Sequence, residues 1–587
     1  MARSEPRAEV GGTGGARFVN RLAAWAAARA RPATAFTSQP EPRTVGSFAR
    51  GRQLMAGNFL FAGQLVEAPE RSIWEVEATD PAFRDEVQGF AWLDDLAAVG
   101  DQPTRLKAQD WTWDWIARYG RGRGPGWQPD LAGRRLIRWI NHALFLLRAQ
   151  EPERQEAYFL SLGRQTIYLS RRWKAARPGL PRFEALVGLI YAGLALRGME
   201  AHVDPARRAL EREVLAQIDA QGGLSTRNPE ELLEVFTLLT WAALALEEAG
   251  KAPGREHRAA IERIAPTLRT LRHADGALAR FHGGGRGQEG RLDHALAVSG
   301  ISTAQPDGLA MGFARLSSGR TSVIVDASPP PTGRASLSAH ASTLAFELTS
   351  GRRPVVVNCG SGRSFGPDWR RAGRATPSHS TLCLDGMSSG RLSHRRGRGE
   401  ELEDAPRNVP IRMTHAPDGI QFQGGHDGWV KTHGLTHART LELTFDGRAI
   451  AGEDMLLCID PRDTKRFDKV MDARKLEGVP FQIRFHLHPE IEAQLDMGGT
   501  AVSLALKSGE VWVFRHDGQQ QMALEPSVFL ERNRLKPRAT LQIVLSGHAV
   551  NYATRMRWSF AKAQDTPVSV RDLYREDEDP AFLTDMT

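Results

Sequence analysis

From about residue 81 to residue 272, apolar positions recur every three or four residues. Leu136, Ile140, Ala143 and Leu147 form one such stripe, with Arg134, Arg135 and Arg138 lying outside it. That is the pattern of a helix with one buried and one solvated face. Leu186, Leu189, Ile190, Gly193, Leu194 and Leu196 repeat it more densely, and Leu232, Val235, Phe236, Leu239 and Ala242 repeat it again. Gly and Pro separate these stretches at Gly120 to Gly126, Arg177-Pro178-Gly179, Gly222-Gly223 and Pro253-Gly254, where helices stop and start. The spacing predicts about seven to nine helices, with no strand among them, stacked in pairs as an (α/α) toroid.

Past about Ile301 the period falls to two. Short β runs occupy Thr321 to Asp326, Thr343 to Leu348, Pro354 to Asn358, Ser380 to Asp385 and Arg439 to Asp446. Ala501 to Leu506, Val511 to Phe514 and Thr540 to Leu545 continue the series. Asp385-Gly386 and Asp446-Gly447 close two of the runs as turns. Strands that follow one another without helices between them predict stacked antiparallel sheets, a β-sandwich. The fold class is thus α+β and multidomain. The expected boundaries are a basic extension over 1–45, the toroid over 46–280, a Gly-rich linker over 281–305, the sandwich over 306–560 and a tail over 561–587. Within the extension, Phe18, Leu22 and Trp25 fall on one side of a short amphipathic helix.

Composition narrows the class. At 587 residues the chain is long enough for several domains, and 41% hydrophobic with 25% charged residues excludes wholesale disorder. Cys359, Cys383 and Cys458 are too few for a disulfide framework. The uncharged apolar run Val235 to Leu246 falls short of the roughly 18 residues a membrane span needs. Ala23 to Ala28 is likewise shorter than the apolar core of a secretory signal. An excess of 77 basic over 69 acidic residues suits an anionic partner. No basic block is interleaved with aromatics, so nucleic acid is set aside. Gly283 to Gly285 lacks the following Lys-Ser/Thr of a phosphate loop.

Several separated motifs carry a more specific resemblance. Ser338 to Gly362, reading SAHASTLAFELTSGRRPVVVNCGSG, is followed by Ser378-His379-Ser380-Thr381-Leu382 with Asp385-Gly386. His426-Asp427-Gly428-Trp429, His437-Ala438-Arg439 and Arg484-Phe485-His486-Leu487-His488-Pro489 then follow in order. Over roughly residues 45–550 the chain resembles the heparinase II/III-like proteins, among which the enzymes are polysaccharide lyases acting on acidic glycans, often in the periplasm. The resemblance implies a lyase-like protein that cleaves a uronate-containing polysaccharide of the cell envelope by β-elimination. The alternative is a non-catalytic glycan-binding or envelope accessory protein on the same scaffold. By family habit the location is periplasm or envelope; the missing signal sequence points instead to the cytoplasm.

A uronate lyase must neutralise the sugar carboxylate, take the weakly acidic proton at C5 and support the leaving O4 oxygen. The resemblance places these roles on particular residues. The family's active-site His falls on Ser338, and a second His, a metal ligand in some members, falls on His340. With His379, and with Asn358 where the family has a carboxylate, His340 completes the set that would hold zinc; no other cofactor is implied. The alternative is that His340 and His379 hydrogen-bond each other or the backbone. Aligned on Tyr191-Ala192-Gly193, the family's Asn-His pair falls on Leu180-Pro181, with Glu184 at a position acidic in some members. The signature that supplies the catalytic Tyr falls on Asn228-Pro229-Glu230-Glu231, so Glu231 stands where the Tyr stands.

The candidate catalytic residues are therefore Glu231, Glu184, His340 and His426. Arg227, Asn228, Arg439, His437 and Trp429 are the candidates for holding an acidic polysaccharide, the guanidinium groups on its carboxylates and Trp429, with Trp111, Trp113, Trp115 and Trp139, on sugar faces. Each has a structural alternative: Asn228 as a helix cap ahead of Pro229 with Glu230 and Glu231 in the first turn, the Trp residues as core, Arg439 and His437 in a surface salt bridge. A hydrolytic metal site drawn from His426, His433, His437, His486 and His488 is a further arrangement, without an acidic partner to complete it.

Overall fold

The computed structural model describes residues 14–29, 33–38, 42–77, 80–303, 308–393, 399–532 and 534–563. Residues 1–13 of the extension and the tail from residue 564 lie outside them. Two compact units divide the chain. The first takes the described residues of Met1–Gly222 with Leu233–Ala265 and His294–Ile301; the second takes Gly223–Leu232, Pro266–Asp293 and the described residues of Ser302–Thr587.

The first unit is helical. Between residues 81 and 272 there are ten α-helices where the spacing predicts seven to nine. Part of the excess comes from His142, which at φ −101° and ψ 21° separates Pro129–Asn141 from Ala143–Leu147 within one apolar stripe. Local chemistry sets the starts. Asp101 caps Gln102–Tyr119 by accepting the Thr104 N–H at 2.9 Å, and Asp80 caps Pro81–Gln88 by accepting the Ala82 N–H at 2.8 Å. Two glycines let the helices Pro129–Asn141 and Leu180–Ala195 approach closely: a Cβ on Gly133 would stand 2.2 Å from the Glu184 carbonyl oxygen, and one on Gly188 2.4 Å from the Gly133 Cα. Trp74, Trp92, Trp111, Trp115, Trp127 and Trp139 interlock in this unit's core, mostly edge to face or tilted. A hairpin, Asn58–Phe61 with Gln64–Glu67, turns through Ala62 and Gly63, both at positive φ; the sequence reading did not anticipate it.

The second unit holds two antiparallel sheets. One runs in the order Ile411–His415, Gly419–Trp429, Leu435–Thr444, Ala449–Leu457, Ala553–Lys562, Val511–His516, Ala501–Ala505 and Glu492–Asp496. The other runs Gln521–Phe529, Arg538–Ala549, Val479–Leu487, Arg353–Val357, Phe346–Ser350, Thr321–Asp326 and Phe313–Ser318, with Leu382–Leu384 also paired to Val479–Leu487. Their inner faces meet in one core. Phe346 of the second sheet stacks on Trp558 of the first at 5.7 Å, and Phe485 lies 5.0 Å from Phe514. Every β run read from the sequence overlaps a strand, with ends that differ by up to four residues.

The Gly-rich stretch is not a bare linker. Phe281 and His282 are fully buried in the second unit, Gly285 N–H donates to Glu230 Oε2 at 2.9 Å, and Arg291–Ser299 is a helix. Glycine serves close approach here, since a Cβ on Gly284 would sit 2.5 Å from the Asn228 side-chain oxygen.

Candidate functional site

His437 and Arg439 share the inward face of Leu435–Thr444, as alternation requires, and the neighbouring strand places Asp454 directly across from Arg439. Asp454 is wholly buried and accepts four hydrogen bonds. Oδ1 takes His437 Nε2–H at 2.7 Å and Arg439 Nε–H at 2.8 Å; Oδ2 takes Arg439 Nη2–H at 3.1 Å and Trp558 Nε1–H at 2.8 Å. Arg439 also donates from Nη1 to the carbonyls of Leu344 at 2.8 Å and Ser380 at 3.0 Å. Burial acts to raise the Asp454 pKa, but the Arg439 charge and the His437 bond overcome it and hold the group well below the usual carboxylate range. The pair is therefore neither a carboxylate-binding site nor a surface salt bridge; it is an internal, two-point ion pair.

His426 continues this chain inward. With His437 donating through Nε2, its Nδ1 accepts from His426 Nε2–H at 3.2 Å, and His426 Nδ1 accepts the Gly428 N–H at 3.1 Å. This tautomer set satisfies every contact. Burial, followed by the neighbouring His437 and Arg439, pushes His426 well below the ordinary histidine value, so it is neutral. Trp429 stands 5.0 Å from His426, is buried, and donates its indole N–H to the Met387 carbonyl at 3.2 Å. It presents no face to a sugar. Trp111, Trp115 and Trp139 are core, and Trp113 is half-buried against Tyr158 at 6.0 Å.

A second histidine pair lies in the same unit. His379 Nδ1–H donates to the Ala375 carbonyl at 2.8 Å, leaving Nε2 to accept from His340 Nδ1–H at 2.9 Å. The His340 main-chain N–H donates to His282 Nδ1 at 3.2 Å, and His282 Nε2 lies 3.3 Å from Asp326 without the alignment of a hydrogen bond. Burial lowers His379 to about 4 and holds His340 well below the ordinary histidine value. Asn358 is also committed: Nδ2 donates to Glu347 at 3.3 Å and Oδ1 accepts the Ser380 N–H at 3.0 Å. His340 Nδ1 and His379 Nε2 are thus engaged with each other and Asn358 with Glu347 and Ser380, so the donors proposed for zinc are taken up by hydrogen bonds within the protein. Among the described residues no group of three or more His, Cys, Asp or Glu side chains has metal-holding geometry. His433 pairs with Asp385 at 3.1 Å, and His486 bonds Ser527 at 2.8 Å and Pro377 at 2.9 Å, so the hydrolytic histidine arrangement does not assemble either.

Arg227, left-handed at φ +50°, uses all its donors inside the second unit. Nε–H goes to the Met311 carbonyl at 3.1 Å, Nη1 to Ser328 and Pro329 at 3.0 Å each, and Nη2 to Gly312 and to Asp326 Oδ1 at 2.7 Å each. No face of the guanidinium is left for a uronate. Asn228 is a helix cap, its Oδ1 accepting the N–H groups of Glu230 at 3.0 Å and Glu231 at 3.2 Å. Glu231 is partly exposed in the first turn of Pro229–Glu248, where a carboxylate favours the helix dipole.

Glu184 differs from the rest. It is buried in the helical unit, with Oε1 accepting Arg134 Nε–H at 2.6 Å and Oε2 without a hydrogen-bond partner. Burial, only partly offset by Arg134, pushes it up to about 7. The residues that sequence reasoning missed are Asp454, Asp326, His282 and Glu347, the buried acids and imidazole that the nominated groups actually bind. Strand register reveals the first of them: Asp454 is an ordinary acid in the sequence until it is placed opposite Arg439.

Three comparisons bear on this arrangement. Residues 301–559 match the family described as heparinase II/III-like, C-terminal. FtsZ-localized protein C of Caulobacter vibrioides (strain NA1000 / CB15N) is 30% identical over 540 residues, covering 89% of each chain. The chain belongs to the heparinase II/III-like family. Solved structures agree on the fold. Heparinase III matches at a TM-score of 0.65 with 12% identity, covering 92% of this chain and 89% of that one. Heparan sulfate lyase HepC from Pedobacter heparinus matches at 0.55 with 14% identity, covering 94% and 88%. The toroid-plus-sandwich fold of the heparinase II/III-like family is thus present.

Proposed function

We propose that this chain is a non-catalytic heparinase II/III-like protein that serves the cell envelope as a peripheral accessory on an anionic membrane surface. The observation that carries the reading is the internal commitment of the groups a lyase would present. The guanidinium group of Arg227 is saturated by protein oxygens, that of Arg439 is buried and holds four of them, and His340 and His426 are neutral members of buried hydrogen-bond chains. A group in that state neither binds a carboxylate nor exchanges a proton with a polymer in solution.

The helix Gly14–Ala27 supports the membrane placement. Its small side chains Ala24 and Ala27 are buried, and Asn20 accepts Arg172 Nε–H at 2.8 Å. The opposite side exposes Phe18 (62%), Leu22 (49%) and Trp25 (52%), beside exposed Arg17 and Arg21 and with Arg29 over the Trp25 ring at 3.4 Å. An apolar stripe edged by arginines is suited to lie in the headgroup layer of an anionic bilayer. No helix among the described residues is long and apolar enough to cross a membrane. The name of the Caulobacter relative places that protein with FtsZ, and we extend the same setting to this chain.

The test is co-sedimentation of the full chain with vesicles of phosphatidylglycerol and phosphatidylcholine, beside a turnover assay on heparan sulfate. Pelleting that needs the anionic lipid, weakens with salt and is lost in Leu22→Glu/Trp25→Glu is expected, without turnover. Release of unsaturated uronate overturns the non-catalytic assignment; a chain that stays in the supernatant overturns the membrane placement.

A further inference from the structure

Three stretches of the helical unit carry no acidic residue: 14–29, 115–129 and 157–183. The fold brings them together. The helix Gly14–Ala27 packs on the helix Pro152–Arg172, where Asn20 Oδ1 accepts Arg172 Nε–H at 2.8 Å. The turn at residues 120–124 presses on the same N-terminal helix: a Cβ on Gly122, at φ +86°, would stand 3.0 Å from the Ala24 Cβ and from the Trp25 main-chain nitrogen. Trp127 ties that turn down, donating its indole N–H to the Tyr119 carbonyl at 2.9 Å while its own carbonyl accepts the Tyr168 hydroxyl at 2.7 Å.

The surface assembled in this way is cationic and is not neutralised from within. Arg121 and Arg123 are exposed on either side of Gly122, next to Trp25, and Arg171 is exposed one residue before the arginine that holds Asn20. Arg164, half-buried two turns earlier on the same side of that helix, is pulled below the usual guanidinium value by burial and then by the charge on Arg121. Other arginines of these stretches do find acids: Arg118 pairs with Asp114 and Glu75, and Arg182 with Glu213. Among the described residues, Arg121, Arg123, Arg164 and Arg171 form no ion pair.

Resting on the membrane placement already proposed, we infer that the three segments form one platform for an anionic bilayer, with Arg121, Arg123, Arg164 and Arg171 on lipid phosphates beside the inserted stripe of Phe18, Leu22 and Trp25. The platform adds to that placement the residues that read the lipid and the chemistry they read. A guanidinium fork meets two phosphate oxygens at once, and charge attraction of this kind adds to the burial of an amphipathic helix in the headgroup layer. Nucleic acid would answer the charge as well, but bases stack on aromatic faces, and Leu22 in the middle of the stripe offers none.

Co-sedimentation of the full chain with phosphatidylglycerol–phosphatidylcholine vesicles, read as a partition coefficient at rising phosphatidylglycerol fraction, tests the platform separately from the stripe. A basic side chain near an anionic bilayer is worth about five-fold in partitioning. Arg121→Gln/Arg123→Gln should therefore bind roughly twenty-fold more weakly and Arg171→Gln about five-fold more weakly, both with reduced salt sensitivity. Arg555→Gln/Arg557→Gln is the charge-matched control: it removes two exposed guanidinium groups from the sheet unit and should bind as the parent does. All five positions are exposed, so melting temperatures should stay close to the parent's. A parent that pellets while Arg121→Gln/Arg123→Gln pellets equally well overturns the platform and leaves the membrane placement standing. An equal loss in the control does the same, because net charge alone would then explain the binding. A parent that never pellets overturns both, and displacement from the vesicles by a single-stranded oligonucleotide would reassign the surface and overturn the platform.

Discussion

Replacing Asp454 with Asn leaves Arg439 buried without its anion and turns an amide N–H₂ toward donors that need acceptors. Four hydrogen bonds converge on that carboxylate, at 2.7 to 3.1 Å, from His437, Arg439 and Trp558, and Asp454, His437 and Arg439 are all buried. Breaking a buried ion pair by removing one partner costs about 3–5 kcal/mol. For a domain of this size each kcal/mol moves the melting temperature by about 2–4 °C, so the sheet unit should melt roughly 6–20 °C lower. The readout is differential scanning calorimetry together with near-ultraviolet circular dichroism, since Trp429, Trp512 and Trp558 all lie in that unit's core. Arg555→Ala is the control: Arg555 lies 3.7 Å from Glu453 with its side chain 55% exposed, and an exposed pair of that kind contributes about 0–1 kcal/mol. A loss below about 1 kcal/mol for Asp454→Asn would refute the reasoning, because a charge so cheaply removed cannot be the anchor of a dry core.

Two further outcomes follow from the same geometry. Buried His379 and His486 have folded pKa values of about 4 and about 3, against about 6.5 unfolded. As pH falls below 6.5 the unfolded chain takes protons that the folded one refuses, so stability is lost down to the folded values, by about 2 kcal/mol per histidine at pH 5. Asp454 and Asp326, held below the carboxylate range, add their loss only below about pH 4; a melting temperature unchanged between pH 7 and 5 would contradict the burial. Asn228→Ala should cost about 1 kcal/mol through the lost cap, whereas Glu231→Gln should cost less than about 0.5 kcal/mol; equilibrium urea unfolding separates the two, and the reverse order would mean Glu231 carries more than its helix-end position.

Periodicity made the architecture legible. The step from 3.6 to 2 near Ile301 separated helices from strands, and Thr321–Asp326 is a strand with the bounds that its alternation suggests. The edge of each class was harder. Gly419–Trp429 carries four glycines and a register shift between His426 and Trp429, so its outer end reads as a turn. The helix Pro461–Ala473 inside the sheet unit is mostly polar, and its apolar stripe is only Phe467, Val470 and Met471. Candidate residues were legible as types but not as states. His437 and Arg439 read as recognition groups because a sequence shows which side of a strand they share but not which side is dry. The Gly-rich stretch read as a linker for a similar reason: the same glycines permit a free chain and a tight approach to Asn228.

The central claim is that the lyase-type groups of this chain are spent on its own interior. Ultraviolet absorbance of unsaturated uronate, followed with heparan sulfate and other acidic glycans and with a heparinase III as positive control, tests it most directly. The account predicts a flat trace for this chain while the control rises. A rising trace that persists in the purified protein and disappears in Arg439→Met or Glu184→Gln variants that remain folded would contradict it.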